Sequence, residues 1–316
     1  MKSVTSRAPI NIALIKYWGK KDDVEILPFQ PSLSLSLDIF ETRTTIKTHD
    51  QEDFLFTING KNDEKIKTKV IRFLKLFDQS INLKGIMIET ENTGPTAAGL
   101  ASSASGFAAL AVAANHFFGF NFPLDKLASI TRKGSGSAIR SLLPEAVAWY
   151  PEGYIKPIYF PFDDVILGVI IINDQEKSIG STEAMKLSVE TSPEYPNWVT
   201  QSFIDFDAFL QGLEDHNFDT IGAITEKNAL YMHHICETTV PSIQYLSPQS
   251  KKVIAFIQNL REKHHIKAYV TMDAGPNVKV LTRRKYQSLI EHYLKEEHID
   301  ILWSGIDTKG AVIINE

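Results

Sequence analysis

From Ser32 to Asp38 the chain alternates polar and apolar residues without a break, Ser-Leu-Ser-Leu-Ser-Leu-Asp, the two-residue period of a half-buried strand. Before it, Val4, Ile10, Ile12, Leu14 and Tyr17 mark a longer extended segment that ends in the run Lys16-Tyr17-Trp18-Gly19-Lys20-Lys21-Asp22. Further strands are expected near 42–48 and 53–59, with a turn at Asn59-Gly60, so this region reads as an antiparallel meander. The period then changes. Ile66, Val70, Phe73, Leu74 and Phe77 fall on one face of a helix whose other face carries Lys65, Lys67, Lys69 and Arg72. A strand at about 84–91 leads into a small-residue loop, and the helix after it places Phe107, Leu110, Ala111, Ala114 and Phe118 at helical spacing.

Beyond a short helix at 124–130, the pattern predicts strands at 146–150, 155–160 and 165–172. A soft boundary near Pro161 to Asp164 divides the chain into residues 1–164 and 165–316. Helical stretches follow at roughly 181–190, 197–212, 217–234, 250–264 and 284–297, with strands at 267–272, 277–282, 299–304 and 310–314. Helices followed by a few antiparallel strands describe an α+β domain. With no repeat period and no flexible linker, the two halves are expected to pack tightly.

Composition narrows the function more than the fold. The chain has 316 residues, 43% hydrophobic and 22% charged, with a formal charge of −5, which gives no electrostatic footprint for nucleic acid. Phosphate binding, if present, has to be local. Cys236 is the only cysteine, which excludes an internal disulfide and suits a reducing, cytoplasmic setting. Arg7 and Asn11 interrupt the apolar N-terminal stretch, so it reads neither as a signal-peptide core nor as a membrane span.

Four places carry candidate chemistry. In residues 92–108, Asn92, Gly94, Pro95 and Gly99 are turn formers, while Ala97, Ala98, Ala101 and Ala104 keep bulk away from the backbone. Ser102 and Ser103 stand where the helix begins, so the stretch reads as a phosphate cradle, or, taken alone, as an ordinary capped helix start. The loop Arg132-Lys133-Gly134-Ser135-Gly136-Ser137-Ala138-Ile139-Arg140-Ser141 is a second place suited to an anion, and Arg140 offers a planar two-pronged donor. Lys16, Tyr17 and Lys20 form a cationic, aromatic loop or a solvated turn. Asp273 ends a strand before Gly275-Pro276, a position that suits a base and equally a turn former. His233 and His234 lack further ligands at metal-binding spacing and read as structural.

Taken together, A-P-I-N-I-A-L-I-K-Y-W-G-K-K-D at 8–22, P-T-A-A-G-L-A-S-S-A-S-G-F-A-A-L at 95–110, R-K-G-S-G-S-A-I-R-S-L at 132–142, G-S-T-E-A-M-K-L-S-V-E-T-S at 180–192 and M-D-A-G-P-N-V-K at 272–279 resemble the GHMP small-molecule kinase superfamily. Within it, they resemble the diphosphomevalonate decarboxylases. The glycine loop marks only the superfamily; the other segments together are specific, and they run in the family's order over most of the chain. The resemblance implies a two-domain α+β fold, with an N-terminal domain like the second domain of a small-subunit ribosomal protein and a ferredoxin-like C-terminal domain. It also implies a cytoplasmic homodimer that uses ATP and Mg²⁺ and binds neither nucleic acid nor membrane.

The implied reaction phosphorylates the tertiary hydroxyl of mevalonate 5-diphosphate, then releases phosphate and carbon dioxide to give isopentenyl diphosphate. Carried over by position, Asp273 lies against that hydroxyl, with Lys16 beside it. Arg140 binds the substrate carboxylate near Asn11. Tyr17, Lys20, Ser137 and Lys69 hold the 5-diphosphate, and Ser181 and Thr182 line the substrate side. Pro95, Ala98, Gly99, Leu100, Ala101, Ser102, Ser103 and Ala104 hold the ATP phosphates. No dedicated metal cage is implied, since Mg²⁺ rides on ATP with Ser103 as the protein hydroxyl offered to it. One departure is local: Leu143-Pro144-Glu145 stands where many relatives have Gly-Gly. The alternatives are a mevalonate 5-phosphate decarboxylase, a mevalonate 3-kinase-type enzyme, and a nucleotide-binding regulator without catalysis.

Overall fold

The computed structural model describes residues 2–94, 103–172 and 179–315. In the first half the elements are β1 (Ser3–Ile15), β2 (Lys20–Asp22), β3 (Leu27–Pro28), β4 (Ser32–Thr48), β5 (Leu55–Ile58), α1 (Glu64–Leu74), β6 (Ile86–Asn92), α2 (Ser103–Phe117), α3 (Leu124–Gly134), β7 (Ala146–Trp149) and β8 (Ile155–Ile158), with a 3₁₀ helix at Gly136–Ser141. The second half holds β9 (Val165–Ile170), α4 (Ser181–Thr191), α5 (Tyr195–Glu214), α6 (Phe218–Glu237), α7 (Pro248–His264), β10 (Ala268–Met272), β11 (Val278–Arg283), α8 (Gln287–Glu296), β12 (Leu302–Ser304) and β13 (Val312–Asn315).

The first sheet runs β13-β1-β4-β6-β5, with β7 and β8 continuing from the start of β4. The antiparallel meander holds for β1 and β4, but β5 does not join β4. It lies parallel to β6, which occupies the place beside β4. Asn59 and Gly60 both take positive φ and close a tight turn, as the Asn-Gly pair predicts. The final strand also departs from expectation: β13 leaves the second half and pairs with β1, and Arg7 anchors the returning chain through a 2.6 Å bond to Asp307.

The start of β4 is not half-buried, because Ser32, Ser34 and Ser36 are as fully enclosed as Leu33, Leu35 and Leu37. Two layers sandwich it. The leucines meet Val165, Leu167 and Val169 of β9 and Phe206 and Phe209 of α5 in one core shared by both halves. The small serine face accommodates the segment at 136–143 on the other side, with Ser36 Oγ donating to the Leu143 carbonyl. A similar economy of bulk brings α2 onto β1: Ala8 packs with Ala108 and Ala109, and Ser6 Oγ donates to the Ala109 carbonyl at 2.6 Å.

The second sheet has the order β10-β11-β9-β12, antiparallel throughout. Counted from β9, that is the 2-3-1-4 strand order of a ferredoxin-like sheet. Its other face packs against α7 and α8 through Ile254, Ile257, Ile290 and Leu294.

Candidate active site

Between the two sheets lies a cleft of about 890 Å³. β1 supplies Asn11, the loop after it Lys16 and Tyr17, and the start of β2 Lys20; α1 supplies Lys69; the start of α2 supplies Ser103 and Ala104; the 3₁₀ helix supplies Ser137 and Arg140; the start of α4 supplies Ser181 and Thr182; and the turn after β10 supplies Asp273. All of these predicted residues therefore face one cavity. Pro95, Ala98, Gly99, Leu100, Ala101 and Ser102 lie outside the described residues.

Lys16 and Asp273 form the floor of the cleft. Lys16 Nζ donates to Asp273 Oδ1 at 2.9 Å and to the Ala13 carbonyl at 2.8 Å, so two of its three donors are spent among the described residues. Its own backbone N–H is held by Asn228 Oδ1 at 2.8 Å, and Asn228 is held in turn by Asp205. The Asp273 turn is fixed from three directions: its carbonyl accepts from Gly275 N–H, Asn277 Oδ1 ties the turn to Ile172 N–H, and Ser250 Oγ donates to the Pro276 carbonyl. Asp273 opens onto the cleft with its side chain 41% exposed, whereas Lys16 is buried beneath it. Burial alone would raise the Asp273 carboxyl, but the charges of Lys16 and Lys279 outweigh it and hold the group ionised, well below the usual carboxylate range. Burial draws Lys16 down to about 8, with Asp273 pulling in the opposite direction.

Arg140 faces Lys16 from the 3₁₀ helix. Its Nη1 donates to Ser32 Oγ at 2.6 Å, and its guanidinium lies 5.9 Å from the centre of the Trp149 ring. Nε is buried without a partner among the described residues. Burial lowers the group to about 10, which leaves it charged at neutral pH. Tyr17 packs on the same tryptophan at 4.7 Å between ring centroids, and burial pushes its hydroxyl above the ordinary range. Asn11 donates to Ser141 Oγ at 2.7 Å and to the Ser137 carbonyl at 3.2 Å, fastening the 3₁₀ helix to β1. The two anion-suited loops meet where Ser103 Oγ and Ser135 Oγ lie 3.0 Å apart.

The loop between β1 and β2 owes its shape to Gly19, which has φ +101°. A Cβ there would overlap the hydroxyl of Tyr195, which donates to the Trp18 carbonyl at 2.9 Å. Gly19→Ala is therefore expected to destabilise the protein by about 1–3 kcal/mol and to lower turnover, since Tyr17 and Lys20 move with the loop. Chemical denaturation together with a steady-state assay checks this; an unchanged midpoint would contradict it.

The lining is strongly cationic: Lys16, Lys20, Lys69, Arg72, Arg132, Lys133 and Arg140 stand against Asp23 and Asp273. Glu25 partly offsets this through Arg132 and Lys133, at 3.1 and 2.7 Å. Such a surplus in a protein of net negative charge fits a polyanionic ligand. Among the described residues no three His, Cys, Asp or Glu side chains cluster as a metal cage. A hard cation would reach this cleft through a ligand's oxygens, with the exposed Ser103 hydroxyl as a protein donor.

Two cationic residues at the site, one lining the cleft and one behind its carboxylate, have no role in the sequence reading. Arg72 lies one turn from Lys69 on α1, a spacing that could have flagged it. Lys279 lies within the quoted M-D-A-G-P-N-V-K segment but was given no role; its Nζ donates to Asp273 Oδ2 at 3.0 Å. His233 is buried beside Tyr245, and burial lowers it to about 3, so it stays neutral. The departure at Leu143-Pro144-Glu145 is absorbed locally: Glu145 takes φ +54°, and its N–H donates to the Asp307 carbonyl.

The fold and cleft define a two-domain GHMP-kinase-type protein with a polyanion site between its halves. The model for a "Diphosphomevalonate decarboxylase-like N-terminal domain" matches residues 8–154, and that for a "Mevalonate 5-diphosphate decarboxylase C-terminal domain" matches residues 167–302. The diphosphomevalonate decarboxylase of Debaryomyces hansenii is 33% identical, the match covering 96% of this chain and 86% of that protein. The solved mevalonate diphosphate decarboxylase of Enterococcus faecalis is 37% identical with a TM-score of 0.90, covering 99% of both chains. A structure described as MDDEF in complex with MVAPP, AMPPCP and magnesium is 38% identical with a TM-score of 0.91, again over 99% of both chains. The chain belongs to the diphosphomevalonate decarboxylase family.

Proposed function

We infer that this protein catalyses the ATP-dependent decarboxylation of mevalonate 5-diphosphate to isopentenyl diphosphate, with ADP, phosphate and carbon dioxide as the other products. The observation that carries the reading is the Lys16–Asp273 pair, set in a cleft rich in cations and faced by Arg140. Family membership and a similar structure holding MVAPP, AMPPCP and magnesium together support it.

In the first step the ATP γ-phosphoryl group passes to the tertiary hydroxyl. The ionised Asp273 accepts that hydroxyl's hydrogen bond and its proton as the new O–P bond forms. Lys16 keeps Asp273 anionic and offers its remaining donor to the transferring group. The Ser103 hydroxyl would be offered to a Mg²⁺ carried on the nucleotide, which would supply charge neutralisation at the phosphates. Tyr17, Lys20, Lys69 and Ser137 hold the 5-diphosphate, and Ser181 and Thr182 line its side of the cleft. In the second step the tertiary C–O bond breaks with both electrons leaving on phosphate. The C–C bond to the carboxylate then breaks, its electron pair becomes the new double bond, and carbon dioxide leaves. Arg140 grips the carboxylate, and its bond to Ser32 and its place over Trp149 fix the direction of that grip. Excessive stabilisation of the ground-state carboxylate would slow its loss.

Residues 1–164 and 165–316 form the two proposed domains, with β13 returning to the first sheet. The proposed setting is cytoplasmic: the sole cysteine, Cys236, is a buried free thiol, and among the described residues no helix is long and apolar enough to cross a membrane. The proposed homodimer rests on family resemblance and is checked by sedimentation velocity.

The function is tested by offering Mg-ATP with mevalonate, its 5-phosphate or its 5-diphosphate and following ADP. Turnover is expected with the 5-diphosphate; preference for the 5-phosphate would reassign the substrate, and no turnover with any of the three would favour a non-catalytic regulator. A pH profile gives a second check. Lys16 carries its charge below about 8 and loses it as the pH rises, so kcat/KM is expected to fall through about pH 8. Bound phosphates favour the ammonium, so the corresponding limb of kcat lies at higher pH. Lys16→Arg should remove the limb from kcat/KM; an unmoved limb would assign it to another group.

A further inference from the structure

Asp273 has two oxygens, and each is held by a different lysine: Oδ1 by Lys16 at 2.9 Å and Oδ2 by Lys279 at 3.0 Å. The two lysines are not equivalent. Both are buried, but Lys16 lines the cleft and can reach a ligand, whereas Lys279 lies outside the lining and meets the carboxylate from β11. Lys279 is rigidly mounted in β11, between β10 and β9, where it stands opposite Thr271 and Val169. Its neighbours Val278 and Val280 face the helix-covered core of the second sheet, so Lys279 points to the face that carries the cleft floor.

We propose that Lys279 is a positioning residue of the reaction, holding one oxygen of Asp273 fixed so that the carboxylate keeps its orientation while Lys16 shares its ammonium with the transferring phosphoryl group. A carboxylate anchored by Lys16 alone would be free to rotate about its remaining side-chain bond as that interaction weakens. With Oδ2 anchored from behind, Oδ1 stays aimed at the hydroxyl. The inference rests on the assignment of Asp273 to the reacting hydroxyl. It adds a second cation whose action passes entirely through Asp273, since Lys279 does not line the cleft.

The charged and titratable groups around Asp273 are Lys16 from the loop after β1, Lys279 from β11, Arg140 from the 3₁₀ helix and His233 from α6, which is neutral. Removing the Lys279 charge therefore relieves repulsion on Lys16 and moves its titration upward. That shift is something a purely structural lysine far from the reaction would not produce.

The test compares wild type with Lys279→Met, which keeps the length of the side chain, and Lys279→Arg, which keeps the charge. Lys279→Met is expected to fold, to bind nucleotide normally, and to lose kcat by about 10- to 100-fold with little change in substrate KM. The alkaline limb of kcat/KM should move to higher pH by about half a unit or more. Lys279→Arg should recover part of the lost kcat and restore the limb. A folded Lys279→Met variant with kcat near wild type and an unmoved limb overturns the proposal. If Lys279→Met does not fold, Lys279→Gln takes its place with the same expectations, and failure of both to fold assigns Lys279 a structural role instead. Wild-type decarboxylation tests the underlying function separately, because this proposal is read only from variant-to-wild-type ratios.

Discussion

Asp273→Ala is expected to lower kcat by about 10³-fold while leaving nucleotide affinity largely intact. Two losses combine. The hydroxyl loses its acceptor, and Lys16 and Lys279 lose the counter-ion they share. Lys16, already drawn down to about 8 by burial, would then fall further and shed its proton near neutral pH. Asp273→Asn separates charge from shape, since it fills the same space but leaves the lysines without an anion. Both variants should be inactive to a similar degree if the negative charge is what matters. Rapid-quench measurement of ADP formation, beside equilibrium binding of a nucleotide analogue, reads the two effects apart. Turnover within about tenfold of wild type would remove Asp273 from its assigned place.

Arg140→Gln is expected to reduce kcat by about 10²- to 10³-fold and to raise the KM for the carboxylate-bearing substrate. The guanidinium is charged at neutral pH, held by Ser32 and set over the Trp149 ring, and it lines the cleft. Arg140→Lys should not rescue it. A single ammonium cannot make the two parallel bonds, and at this depth it would lose its proton far more readily than arginine does. Steady-state kinetics with both variants, with thermal unfolding as a control for folding, checks this; full activity of Arg140→Lys would show that charge alone suffices.

Much of this site was legible in the sequence, for uneven reasons. Lys16, Arg140 and Asp273 are each ambiguous locally, since a lysine in a turn, an arginine after a glycine loop and an aspartate before Gly-Pro all have ordinary explanations. Lys16 and Asp273 lie 257 positions apart, so no periodicity argument could pair them; the resemblance brings them into one proposal, and the structure places them in contact. Local alternation misjudged Ser32, Ser34 and Ser36, because a polar face usually meets water, and here its small size lets a second layer close over it. The same reasoning hides Lys279. A lysine between two valines in a strand reads as solvent-facing, yet the face it occupies is buried and its partner is the cleft carboxylate.

Topology was less legible than chemistry. β5 looked like the next strand of a meander, but its pairing is decided by where β6 inserts, a long-range matter that a four-residue strand cannot announce. β13 looked like the end of the second domain, because it follows β12 in sequence. The bond between Arg7 and Asp307, and the pairing of Arg7 with Val312, carry it back to β1 instead. Each miss is a case of tertiary context overriding a correct local reading.

The central claim is that one site first phosphorylates the tertiary hydroxyl and then expels carbon dioxide from the same molecule. It is tested most directly in a single turnover, with purified protein in excess over mevalonate 5-diphosphate labelled in its carboxylate carbon and with saturating Mg-ATP. ADP and labelled carbon dioxide are expected in equal amounts, with no phosphorylated acid left at the end. ADP formed without labelled carbon dioxide would contradict that claim and leave the protein a kinase.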